Sequence, residues 1–180
     1  MSARPQPRTM ADLPGQLAAN PKTAPQERAR FFNSGNAFNI ILPPVPDAVF
    51  ADQPRRALNP ESPTGLIHCD ASAEMGDTGP ATSPLLLASY ARIRAGETLD
   101  TDHLASAVVH YVIQGSGSTT CDGETVDWHP GDVFLLPGGP AEHSADIDAV
   151  LWVVSNQPHL RFENVRLPDP AKASTRPVHY

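Results

Sequence analysis

A chain of 180 residues with a formal charge of −7 and a pI near 5.4 has room for one domain with a core, plus extensions. Its 13 lysines and arginines form no run or stripe. Nucleic acid and anionic membrane surfaces, which demand a basic face, are therefore excluded as partners. No apolar stretch approaches the roughly 20 residues of a membrane span.

Met1 to Arg30 contains no apolar block of the kind a secretory signal needs. Two cysteines, Cys69 and Cys121, are too few for a disulfide framework, so reduced thiols and a cytoplasmic location are expected. The 20 prolines predict little helix, because proline interrupts helical hydrogen bonding.

Residues 1–83 read as a Pro-rich N-terminal arm with short strands. Pro5, Pro7, Pro14, Pro21 and Pro25 punctuate its start, where no periodic apolar face exists. Gln26 to Asn33 predicts two helical turns anchored by Phe31 and Phe32. Phe38 to Leu42 predicts a short buried strand stopped by Pro43 and Pro44. Val45 to Pro63 reads as irregular, and Gly65 to Cys69 as a second short strand.

The character changes at Pro84. Leu85 to Ile93 is a strand-forming run, and Arg94 to Glu97 a turn. Ala107 to Gln114 is the strongest strand signal, rich in β-branched and aromatic residues. Ser118 to Cys121 and Glu124 to Trp128 flank Asp122-Gly123, a dipeptide suited to a tight hairpin. Pro130-Gly131 turns the chain into the strand Asp132 to Leu136, which Pro137 to Pro140 breaks. Ala149 to Ser155 and Leu160 to Val165 complete the set. Short strands separated by such turns predict an all-β, antiparallel sandwich or barrel over residues 84–166. Residues 167–180 read as a linker-like tail.

Within this region the stretch from Gly96 to Asn156 resembles the cupin superfamily. The first cupin motif runs Gly, five residues, His-any-His, three or four residues, Glu, six residues, Gly; Gly96 and Gly115 fit its three-residue version. The second runs Gly, five residues, Pro-any-Gly, two residues, His, three residues, Asn; Gly131, Pro137 and Gly139 fit it. The resemblance implies a single cupin-type jelly-roll β-barrel. Ser106 to Gly117 is further similar to the N-terminal cupin half of gentisate 1,2-dioxygenase-like bicupins. That similarity implies a ring-cleaving non-haem metal enzyme acting on a small aromatic acid.

Held to the scaffold spacing, the motif's ligand positions fall on Asp102, Leu104, Val108 and Glu142, and its Asn on Asp146. Leu and Val bind no metal, so the site reads as degenerate. His103 and His143 lie one step away. The four-residue spacing, or a bulge, would bring His103 onto the second His position. His110 shares parity with position 108 and should face the interior.

Two expectations follow. In one, His103, His110 and His143 bind Fe(II) or another divalent metal, and Arg92 or Arg94 holds a substrate carboxylate. In the other, His103 and His143 are solvated loop histidines, His110 is a hydrogen-bonded interior residue and no cofactor is present. The protein is then a metal-free small-molecule-binding or oligomer-forming module. Tyr111, Trp128 and Trp152 read as core or interface aromatics, His129 as a turn residue and His68 as core or interface. Homo-oligomerisation is expected on either reading, because sandwich edges must be covered.

Overall fold

The computed structural model describes residues 16–17, 19–31, 45–167 and 176–180. The chain divides into two compact units, Met1–Pro44 and Val45–Tyr180. In the first, β1 (Gln16–Leu17) pairs antiparallel with β2 (Arg30–Phe31), and α1 (Ala24–Arg28) lies between them in sequence. The Thr23 hydroxyl accepts from the Gln26 amide and Pro25 fills the first turn, which explains why the helix starts there. It starts and stops earlier than predicted. Phe31, expected as an anchor, is 61% exposed. Phe32 and the Phe38 to Leu42 strand lie outside the described residues.

In the second unit, α2 (Asp52–Leu58) occupies part of the stretch expected to be irregular. Pro54 is the third helical residue, where the missing N–H has no intrahelical partner to lose. Ala57 on this helix packs with Ile67, Val150 and Tyr90. Then come β3 (Gly65–His68), α3 (Ser72–Met75), β4 (Leu87–Ile93), β5 (Thr98–His103), β6 (Val108–Gln114) and β7 (Gly117–Cys121). The chain continues through β8 (Glu124–Trp128), β9 (Val133–Leu136), β10 (Gly139–Ala145), β11 (Ala149–Ser155), α4 (Gln157–Phe162) and β12 (Val178–His179).

Two antiparallel sheets, ordered β5-β10-β7-β8 and β12-β9-β6-β11-β4-β3, close over one core. The protein is mostly β, with a cupin-like jelly roll as its main body. Along β6, Val108, His110 and Val112 are buried while Val109, Tyr111 and Ile113 are more than a third exposed, the period of two that the sequence shows. Asp122 and Gly123 both adopt positive φ (51° and 78°) in the predicted hairpin turn, as a two-residue turn of this hand requires. Trp128, Phe134, Ile93, Leu136 and Leu151 fill the centre. Cys69 and Cys121 are free and buried. No helix among the described residues is long and apolar enough to cross a membrane.

The strands β5 and β10 were not expected as strands. Their inward positions carry Thr101, His103, Ala141 and His143, and their outward ones Asp100, Asp102 and Glu142. With polar groups on both faces, the apolar alternation that signals a strand is hidden. Pro140 is tolerated within β10 because β7 pairs with that strand only from Glu142 onward, so no ladder donor is lost there.

Two expectations about the C-terminal part are corrected. Leu160 to Val165 is not a strand: Pro158 sits in the first turn of α4, and Phe162 is 85% exposed. Nor is all of the tail linker. Val178 and His179 add an edge strand to β9, and the Tyr180 amide donates to the Val133 carbonyl at 2.8 Å.

Candidate functional site: a threonine-histidine barrel interior

The polar interior is built by four strands. From β5 come Thr101 and His103, from β6 His110, from β7 Thr119 and from β10 His143; each is at most 8% exposed. Register explains the convergence, since Ala141 and His143 of β10 lie opposite Thr101 and Leu99 of β5, and His143 lies opposite Thr119 of β7. His103 and His143 are therefore not the solvated loop histidines of the second expectation. They sit on strands and point inward.

This geometry corrects the ligand register. Asp102 and Glu142 face solvent, and Leu104 lies beyond the end of β5. The inward positions are 101, 103, 108 and 143; the first three match the first motif's four-residue spacing counted back from Gly115, with Ala95 at its leading Gly position, and 143 lies one residue past the second motif's His position. At that spacing the first His position is Thr101, the second is His103, and the Glu position is Val108.

His143 is held at both ring nitrogens. Its Nδ1 lies 2.8 Å from the Thr119 hydroxyl and its Nε2 3.1 Å from the Thr101 hydroxyl. The Trp128 indole donates to Thr119 Oγ1 at 3.0 Å, and Thr101 Oγ1 donates to the Ala141 carbonyl at 3.4 Å. One proton assignment satisfies all four contacts: Thr119 donates to Nδ1, and the Nε2 hydrogen goes to Thr101. The ring is then neutral with no lone pair to spare. Burial, with the His103 charge adding to it, pulls the His143 pKa down to about 4.

His110 lies flat on Phe134, ring centroids 4.6 Å apart and planes parallel, with its centroid 5.2 Å from that of His143. Burial, then His143 and His103, hold its pKa well below the ordinary imidazole value. Val108's backbone pulls weakly the other way, yet neither His110 nitrogen meets hydrogen-bond geometry with a partner. His103 is lowered first by burial, with Gln157 opposing, and its Nε2 is likewise unpartnered. His68 Nδ1 lies 2.8 Å from Ser89 Oγ, and its charge bears on His103.

Arg92 does not enter this interior. Its guanidinium is buried on the opposite face of β4, paired with Asp148 and 3.4 Å from the Pro60 carbonyl. Arg94 and Asp146 are exposed. His129 sits in its predicted turn. Trp128 is fully buried, whereas Tyr111 is 44% exposed and Trp152 packs edge-on against Tyr90 at 4.7 Å. Open clefts of about 280 and 420 Å³ mark the outer surface beside Glu142 and beside Arg166; none of the three histidines lines them.

Three imidazoles on iron, as the cupin motif implies, do not fit this donor set. Thr101 replaces the first, and His143 has both nitrogens engaged. Among the described residues, no group of three or more His, Cys, Asp or Glu is arranged to hold a metal.

Residues 88–141 match the family described as the AraC-like ligand binding domain. A 5-aminosalicylate 1,2-dioxygenase from Comamonas sp. is 31% identical over 110 residues, covering 51% of this chain and 29% of the relative. A point variant of the Pseudoaminobacter salicylatoxidans salicylate 1,2-dioxygenase, solved with gentisate, superposes with a TM-score of 0.53 at 21% identity. The match covers 65% of this chain and 35% of that one. A second variant of the same enzyme gives 0.52 at 22% identity, covering 64% and 36%. The matched region thus spans about a third of its relatives' length.

Fold and interior together define a cupin-like β-barrel, part of which is similar to the AraC-like ligand binding domain. The barrel is similar, at low identity and over about a third of their length, to 5-aminosalicylate and salicylate 1,2-dioxygenases.

Proposed function

We propose that this domain is a dioxygenase-related cupin with a degenerate metal site, one half of a bicupin arrangement, serving as a binding and assembly module rather than a centre of oxygen chemistry. The observation that supports this reading is Thr101 at the first His position, its hydroxyl on His143 Nε2. A hydroxyl is a poor ligand for iron, and the atom that a metal would need is already occupied. The implied Fe(II) has no role in the reading, and an aromatic hydroxy acid finds no chelating centre.

The test is reconstruction. Thr101→His restores the missing imidazole and frees His143 Nε2. Under anaerobic ferrous titration, the variant is expected to bind iron at least 100-fold more tightly than the parent, on the scale of a lost or gained metal-site group. Equal affinity in both proteins, or stoichiometric tight iron in the parent, contradicts the reading. Oxygen uptake by the ferrous-treated parent with gentisate, salicylate or 5-aminosalicylate is expected to stay at background.

Assembly belongs to the same proposal. Val109, Tyr111 and Ile113 form an uncharged row on the outer face of β6, each more than a third exposed, beside Leu135 and Trp152 of the neighbouring strands. A second copy of the barrel would stack on this face, as sheets do at about 10 Å. Tyr111→Glu is expected to convert a dimer to a monomer in light scattering; an unchanged mass, or a monomeric parent, removes this part of the proposal.

A further inference from the structure

The short strand β12 places two apolar side chains in solvent. Val178 lies opposite Leu135 of β9, and Tyr180 and Val133 exchange both backbone hydrogen bonds, at 2.8 and 3.1 Å. Leu135 and Val133 in turn lie opposite Val109 and Tyr111 of β6, and Tyr111 lies opposite Trp152 of β11. Residues directly opposite on paired strands share a sheet face. Val178 and Tyr180 therefore carry the outer apolar row of β6 and β9 to the edge of the sheet, where they are 41% and 79% exposed.

A ladder of two residues does little to offset the entropy of ordering this segment. Covering Val178 and Tyr180 supplies the apolar burial that the strand lacks. What covers them follows from charge. The outward positions of β12, β9, β6 and β11 carry no charged residue. The outer face of the other sheet carries Asp100, Asp102, Asp127 and Glu142, and its four strands contain no lysine or arginine. Two copies of a chain with a formal charge of −7 repel through that acidic sheet and can approach on the uncharged one. A two-fold axis there sets each apolar row against its own copy.

We propose that β12 forms part of the surface on which a second copy docks, and that docking and the addition of β12 to the sheet reinforce each other. The proposal rests on the assembly reading above and deepens it by naming the segment on which assembly depends. Linkage makes the coupling reciprocal: what β12 contributes to the dimer, the dimer returns to β12.

Sedimentation equilibrium on the full chain, on the double variant Val178→Ser, Tyr180→Ser and on Tyr111→Glu tests this, together with amide hydrogen exchange at Val133. Both serine positions are exposed in the single chain, so the double variant should unfold at the parent's urea midpoint. Each substitution acts twice across a two-fold interface, so the double variant is expected to raise the dimer dissociation constant at least ten-fold. In the parent, exchange at the Val133 amide, which donates to the Tyr180 carbonyl, should slow as protein concentration passes through the dimerisation range.

An unchanged dissociation constant in the double variant overturns the proposal. So does Val133 exchange that is independent of protein concentration. Either result, with Tyr111→Glu monomeric, leaves the assembly reading standing without β12. A parent that is monomeric at every concentration removes both.

Discussion

Gly117→Ala is expected to leave no stable barrel. A Cβ at this position would lie 2.0 Å from the Ser144 carbonyl oxygen and 2.8 Å from the Trp128 ring. Neither neighbour can retreat. Ser144 lies in β10, paired to both β5 and β7, and Trp128 is fully buried with its indole nitrogen bonded to Thr119. Relief would require parting β7 from β10 where their ladder begins, which also disturbs Thr119 beneath His143. A loss of about 4 kcal/mol or more is expected, in the range reserved for severe core strain. Urea denaturation followed by circular dichroism reads it directly. A variant that unfolds at the parent's midpoint would show that the close approach of β7 to β10 is wrong.

Acid is expected to destabilise the fold well before its carboxylates are all protonated. His143 is neutral when buried, with its pKa lowered from 6.5 to about 4. As pH falls below 6.5, the unfolded chain takes up that proton first, so stability is complete above this value and drains away down to about pH 4. His143 alone contributes a loss of about 3 kcal/mol across that window. His110 and His103 are shifted in the same direction by the same burial, so they steepen the fall. Urea midpoints at pH 7.5, 6 and 5 should decline progressively, and His143→Gln should flatten the decline. Midpoints constant to pH 5 would mean that these rings are hydrated and free to charge.

The fold was legible in the sequence wherever a strand alternates apolar and polar residues, or where turn residues are explicit. The strands β6, β8 and β11 and the Asp122-Gly123 turn follow from those signals, as does the inward face of His110. The strands β5 and β10 escaped because their inward residues are threonine and histidine. An apolar-periodicity argument passes over a polar interior. The same blindness displaced the site by one residue: motif glycines counted from Gly96 put acidic side chains at the ligand positions, whereas the pleat puts Asp102 and Glu142 in solvent. Parity between His103 and Thr101, two residues apart, was the available signal for Thr101. Nothing local identified Thr119, whose role depends on register with β10. The arginine expected to hold a carboxylate failed for a related reason. Parity along β4 sends Arg92 to the face that packs against the loop near Pro60, away from the barrel axis.

The helices illustrate a different limit. Proline was read as a breaker throughout, yet Pro25, Pro54 and Pro158 each lie in a first helical turn, where proline is at home. Composition alone does not reveal that placement, because it depends on which residue begins the turn.

The central question is whether His143 is a metal ligand or a threonine-bound core residue. Equilibrium dialysis of the parent and His143→Gln against ferrous iron under anaerobic conditions, with iron counted per chain, decides it. The expected result is iron far below one per chain in both proteins. One iron per parent chain, lost in the variant, would contradict the account and return the interior to metal chemistry.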